Sequence, residues 1–249
     1  MRRYAIWALT MLWALGGAHL VGWAQDEEES AFTRGARAFH IGEYTTAREA
    51  LEQAYKEDGQ DSAVILMLTE TYIRLRDYRR AEEVIEAGAR LYPETGTVRF
   101  KQGIVQNLRG RFDRAQEAFN MANECLPSDA PERTSLYINM GIAIMNAGRP
   151  LDALPWFDQA IELSPRNISA YTSKGTSLYK VGDYLEAATM YDRAIELDQS
   201  NPLVYYNRGM AYLRGGEASK GCEDFHTACR MGNMNACKAI VVECKKQAE

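Results

Sequence analysis

Histidine is scarce in this sequence: three among 249 residues. One of them, His19, lies in an apolar N-terminal stretch, which leaves little material for imidazole-dependent catalysis. Basic charge is also in short supply. Thirty-four acidic residues against 29 basic give a net charge of −5, whereas a nucleic-acid binder needs a basic surface, so no nucleic-acid partner is expected. Only seven prolines and 19 glycines are present, too few for a collagen-like or low-complexity chain. The sequence contains no G-x-S-x-G, H-E-x-x-H, Walker loop or dinucleotide fingerprint. His40 has no base or nucleophile partner in view, and carboxylate pairs such as Glu82-Glu83 and Glu223-Asp224 read as solvated helix faces. No catalytic residue, metal, cofactor or small-molecule substrate is therefore expected. What is plentiful is core material: 46% of residues are apolar and 10% aromatic, too much for a disordered chain.

The first residues read as an address. Met1-Arg2-Arg3 precedes an uncharged stretch from Tyr4 to Ala24, and Asp26-Glu27-Glu28-Glu29 follows. A basic start, an apolar middle and a small-residue exit at Gly22-Trp23-Ala24 predict a signal peptide over 1–24, cut after Ala24. An uncleaved anchor is the rival, since about 20 apolar residues can span a bilayer. Without a cysteine after the exit, a lipoprotein is not expected. Either way the bulk of the chain is expected to cross a membrane.

Beyond this segment the chain repeats. The turn triplets Gly42-Glu43-Tyr44, Arg76-Asp77-Tyr78, Gly110-Arg111-Phe112, Gly148-Arg149-Pro150 and Gly182-Asp183-Tyr184 recur at spacings of 34, 34, 38 and 34, and Gly216-Glu217-Ala218 follows 34 further on. Small or near-small residues form one column ahead of the turns: Gly35, Thr69, Gly103, Gly141, Gly175 and Gly209. Two more columns follow them, Ala47, Ala81, Ala115, Ala153, Ala187, Gly221 and then Ala54, Gly88, Ala122, Ala160, Ala194, Ala228. Between these runs a large apolar column, Leu51, Ile85, Phe119, Phe157, Tyr191 and Phe225. Apolar residues at three- and four-residue steps predict a pair of amphipathic helices, A and B, in each unit. Small residues let the helices approach where they cross, and the large residue fills the space beside them. One hairpin cannot bury its apolar face alone, so successive units must stack.

These columns resemble the tetratricopeptide repeat family over about residues 28–235, most fully in Gly141, Ala153, Phe157, Ala160 and Pro165 of the fourth copy. The resemblance implies an all-α, right-handed superhelical solenoid of six helix-turn-helix repeats. It divides the chain into repeats one to three (28–129), an insert (130–133), repeats four to six (134–235) and a capping helix (236–249). The segment from Gly221-Cys222-Glu223-Asp224 to Gly232-Asn233 resembles the ends of tetratricopeptide proteins from Bacteroidetes-type bacteria.

Repeat three departs from the pattern. Columns that hold Tyr137, Tyr171 and Tyr205, and Ile144, Leu178 and Tyr212, carry Arg99 and Gln106 there, and four extra residues follow around Ser128-Asp129-Ala130-Pro131-Glu132. Polar groups in a packing column weaken a stack, so residues 127–133 are expected to form either a hinge or an outward-bulging loop. Pro155, inside helix B of repeat four, reads as a tolerated kink. The run Arg74-Leu75-Arg76-Asp77-Tyr78-Arg79-Arg80 reads as solvated turn residues or a local patch for an acidic partner.

Four of the five cysteines lie in the last 28 residues. Cys222 and Cys229 are seven apart on one helix, Cys237 and Cys244 seven apart on the next, and the pairs Cys222/Cys244 and Cys229/Cys237 are each centred on residue 233. In an antiparallel hairpin turning there, they face each other as disulfide candidates. Buried free thiols, or a zinc shell joined by His226, are the alternatives. The fifth, Cys125, reads as a buried packing residue.

What the resemblance implies for function is a groove. The family's inner face, built mainly by helix A, takes an extended peptide or a partner helix. Carried onto this sequence, the groove positions are Ile138, Asn139, Ile142, Met145 and Asn146 in repeat four, and Thr172, Ser173, Thr176, Tyr179 and Lys180 in repeat five. Repeat six supplies Tyr206, Asn207, Met210, Leu213 and Arg214. The carboxylate-clamp positions of the family's chaperone-tail subgroup hold Phe32, Ala36, Met67, Thr97 and Lys101, and of these only Lys101 suits that role. The expected function is a non-catalytic scaffold of the bacterial envelope that holds a protein or peptide partner. It would sit in the periplasm or at the outer membrane, with any membrane association arising through an envelope complex. The alternatives are a secreted host-directed binding factor and an exported hydrolase.

Overall fold

The computed structural model describes residues 29–244; the predicted leader over 1–24 lies outside them, as do the final residues of the predicted capping helix. Thirteen α-helices and no strand occur among the described residues: α1 (Ala31–His40), α2 (Tyr44–Glu57), α3 (Ser62–Arg74), α4 (Tyr78–Leu91), α5 (Gly96–Leu108), α6 (Phe112–Cys125), α7 (Arg133–Asn146), α8 (Pro150–Leu163), α9 (Ile168–Val181), α10 (Tyr184–Leu197), α11 (Pro202–Arg214), α12 (Ala218–Arg230) and α13 (Met234–Ala239). A π-helical turn, Ile240–Cys244, continues α13. Odd-numbered helices up to α11 are the A helices, and the even-numbered ones are B.

Local chemistry sets the boundaries. Side chains of Ser30, Asp61, Asp77, Asn167, Asn201 and Asn233 each accept a hydrogen bond from a backbone N–H in the first turn of the following helix, which satisfies one of the donors a helix start leaves open. Each A-to-B turn passes through the left-handed region, with glycine at five of the six. The exception is Arg76, at φ 59°. An L side chain in that region costs about 1–2 kcal/mol.

The columns pack as their sizes require. A Cβ added to Gly141 would lie 2.6 Å from the Phe157 ring, and one added to Gly175 would lie 2.9 Å from the Tyr191 ring. The small residue of helix A is thus the seat of the large residue of helix B. Leu51, Ile85, Phe119, Phe157 and Phe225 are fully buried and Tyr191 nearly so. Successive A helices also touch one another, α1 to α3 and onward to α11. The A helices therefore form the tighter, inner layer of the superhelix.

Repeat three keeps the stack by partnering the donors of its polar residues, while Gln106 Oε1 stays buried without a partner among the described residues. Tyr171 donates from its hydroxyl to the carbonyl of Pro165 at 3.2 Å; Arg99, in the same column, donates to the carbonyl of Pro93 at 2.8 Å. Gln106, buried, donates to Glu82 at 3.0 Å and Glu86 at 2.8 Å, and Glu82 also pairs with Arg109 and Arg111. Around the insert, Arg133 donates to the carbonyls of Pro127, Asn123 and Leu126. Phe119, Leu126, Leu136, Met140 and Phe157 share one apolar cluster across it. Helix α8 runs unbroken through Pro155.

At the C-terminal end, α13 and the π-turn fold back on α12. The sulfur atoms of Cys222 and Cys244, and of Cys229 and Cys237, stand at bonding distance, with Cα separations of 5.8 and 4.8 Å. The final helix thus breaks into a π-turn at Ile240, where the sequence suggested one continuous helix. Cys125 is half-buried, less enclosed than its column suggested. His226 is exposed, and no group of three metal-ligating side chains occurs among the described residues.

Candidate partner-binding face

Tyr206, Asn207 and Met210 project from one side of α11, and Thr176 and Tyr179 from the neighbouring A helix, α9. Together with Tyr191 of α10 they line a depression of about 240 Å³. Residue 179 follows 176 by three, and 210 follows 207 by three and 206 by four, so each set presents to one side of its helix. The floor is rigid. The Thr176 hydroxyl donates to the carbonyl of Thr172 at 2.8 Å and lies 3.1 Å from the Tyr191 hydroxyl. Burial holds the Tyr191 phenol above its usual range, so it stays protonated. The Tyr179 ring meets Tyr184 edge-on at 5.3 Å, and the Tyr206 ring packs on Phe225 at 5.8 Å. Half-buried aromatic bodies with polar tips suit a surface that meets another molecule.

Other predicted groove positions behave differently. Asn146, Lys180 and Arg214 are exposed on the same three A helices but outside the depression, and Ile142 is half-buried against the core. Asn139 turns back on its own helix, donating to the carbonyl of Ser135 at 2.8 Å. Ile138 and Met145 are only 7% and 8% exposed: the inner face of α7 is narrower than the carried-over pattern implied, and these two pack into the core instead.

A second hollow, of about 440 Å³, was not assembled by the sequence reading. Phe32, Phe39, Leu66, Met67, Thr97 and Phe100 line it on α1, α3 and α5, with Glu70, Lys101 and Glu132 at its edge. Phe32, Met67, Thr97 and Lys101 are four of the five carboxylate-clamp positions, of which only Lys101 carries a side chain suited to a clamp. Lys101 is engaged, 2.7 Å from Glu70, which also accepts from Arg74 at 2.8 Å. Burial pushes the Glu70 carboxyl up, but its bonds to Lys101 and Arg74 outweigh that and hold it below the usual carboxylate range. A clamp cation so paired is not free for a terminal carboxylate.

Behind the first depression, Arg208 ties three helices together. It is bidentate to Asp224, at 2.8 and 2.6 Å, and bonds Asp192 at 2.6 Å. It lies between the rings of Tyr205 and Tyr212, 5.5 and 5.8 Å from their centroids. The Asp224 carboxylate raises the already high pKa of this guanidinium. Nothing in the spacing pattern singled it out, because its partners lie on α10 and α12.

Paired helices, small-residue seats and an inner layer of A helices define a solenoid of tandem helical hairpins. Residues 39–99 match the profile described as tetratricopeptide repeat, and residues 175–216 a second described as TPR repeat; the solenoid has that family's fold. Among solved structures, YrrB, "a TPR protein with an unusual peptide-binding site", superposes with a TM-score of 0.58 at 22% identity, covering 78% of this chain and 98% of that one. PilF of Pseudomonas aeruginosa gives a TM-score of 0.70 at 16% identity, over 86% of this chain and 96% of its own. MamA of Desulfovibrio magneticus RS-1 gives 0.59 at 15% identity, over 68% and 93%. No curated protein matches the sequence.

Proposed function

We propose that this protein is an exported, non-catalytic adaptor of the bacterial envelope that holds an extended peptide or a partner helix against the inner face of repeats five and six. The observation that carries the reading is the depression lined by Thr176, Tyr179, Tyr206, Asn207 and Met210. Tyr179, Tyr206 and Met210 supply apolar contact that adapts to the guest, and Asn207 offers a donor and an acceptor to a peptide backbone. The leader predicted from the sequence over 1–24 supports export. In an oxidising compartment the Cys222/Cys244 and Cys229/Cys237 pairs would be closed as disulfides.

The test compares two baits recovered from the envelope, the unaltered chain and a Tyr206→Ala/Met210→Ala variant. Partners bound through the depression are expected on the first and at least tenfold depleted on the second. Equal recovery of every partner on both baits would remove this face from the function. Cell fractionation checks the compartment: recovery from the cytoplasm with five free thiols would refute both export and oxidation.

A further inference from the structure

The outer face of the C-terminal cap is apolar and unpartnered. Met234, Val241 and Val242 are 68%, 58% and 52% exposed, and with Lys238, also exposed, they stand at i, i+4, i+7 and i+8. Met234 and Lys238 lie one turn apart on α13 and Val241 and Val242 on the π-turn that continues it, all pointed away from the solenoid, because Ala236 is buried and Ile240 and Cys244 are packed against α12's cluster. On the inner side of repeats one to three lies the hollow lined by Phe32, Phe39, Leu66, Met67 and Phe100. Its edge residue Glu132 makes no ion pair among the described residues, and neither does Lys238. The cap thus carries an apolar ridge with the Lys238 ammonium at its middle, and the inner side of repeats one to three an apolar hollow with the Glu132 carboxylate in its lining, neither charge paired among the described residues. Within one chain repeats four to six separate the two.

We propose that the cap stripe of one copy docks in the hollow of a second copy, a head-to-tail self-association in which Met234, Val241 and Val242 fill the hollow and Lys238 meets Glu132. The contact is heterologous: each copy offers one ridge and one hollow, so addition continues unless a ring closes. Opposite unpaired charges set the register and orientation of the docked stripe. This surface is separate from the depression between α9 and α11, so the two readings fail independently.

Sedimentation of the exported, oxidised chain at concentrations rising to about 1 mM is expected to show mass growing with concentration. Met67→Glu destroys the hollow and spares the ridge; Val241→Glu/Val242→Glu destroys the ridge and spares the hollow. Each variant alone is expected to remain monomeric. Mixed, they retain one competent interface between them and should form a heterodimer and nothing larger, which also shows that both are folded. Three results would overturn the proposal: an unaltered chain that stays monomeric throughout, either variant still assembling alone, or a mixture that gives no heterodimer.

Discussion

Reducing the cap cysteines is the sharpest test of how the solenoid ends. The cap from Met234 to Cys244 has only one fully buried side chain, Ala236, with Ala239 and Ile240 partly packed. Apolar burial of that extent contributes only about 2–4 kcal/mol. An isolated helix of that length is marginal. If oxidised, the two pairs close loops of 22 and 8 residues. Loop-closure entropy then contributes about 3.4 and 2.5 kcal/mol. Closing the inner loop shortens the outer one, so together they contribute about 5–6 kcal/mol. Without them the cap should detach, uncovering Phe225 and Ala228 on α12. In a stacked array this loss stays local, because each repeat meets only its neighbours. Hydrogen exchange with and without reductant reads it directly. Amides of α12 and α13 are expected to lose protection by at least a hundredfold, while those of α3 to α6 stay unchanged. Identical exchange over residues 222–244 in both conditions would refute the reasoning.

Four further outcomes follow from particular side chains. Arg76→Gly relieves the left-handed strain at φ 59°, offset in part by glycine's larger unfolded-state freedom, so thermal denaturation should show a gain of about 0.5–1 kcal/mol. Gly141→Ala drives a methyl to 2.6 Å from the Phe157 ring and should cost about 1–3 kcal/mol in urea unfolding. Arg208→Ala strands the buried carboxylate of Asp224 and should cost about 3–5 kcal/mol, much of it recovered by adding Asp224→Ala. Because the Glu70 carboxyl is held below its unfolded value of 4.5, its ion pair stabilises the fold above that pH and is lost as pH falls through the lowered value; Lys101→Met should flatten that acid limb in a pH series of melting temperatures.

Much of the fold was legible because its determinants are local and periodic. A glycine at residue 141 and a phenylalanine at residue 157 stand 16 positions apart in one hairpin, and the same offset recurs in every copy, so a size rule becomes a visible column. The turns were legible for the same reason. Their left-handed geometry demands glycine, and the one arginine that takes glycine's place still carries the turn. The proximity of Cys222 to Cys244 and of Cys229 to Cys237 could be read because an antiparallel hairpin maps equal distances from residue 233 onto facing positions. The π-turn could not, since Ile240–Cys244 departs from the 3.6-residue period by which the helix was recognised.

The candidate face was only half legible, and the reason is physical. Periodicity says which side of a helix points inward, but not how deeply its neighbours cover it; hence Tyr206 remains accessible while Ile138, in the same register two repeats earlier, sinks into the core. Polar substitutions are harder still. Arg99 and Gln106 look like damage to a packing column until their partners are found at Pro93, Glu82 and Glu86. A buried polar group is costly when unpaired and tolerable when paired, so its sign cannot be assigned from its own position. The same holds for the hollow in repeats one to three. Its apolar lining reads as a failed clamp residue by residue, and as a site only once α1, α3 and α5 bring Phe32, Met67 and Phe100 around one space.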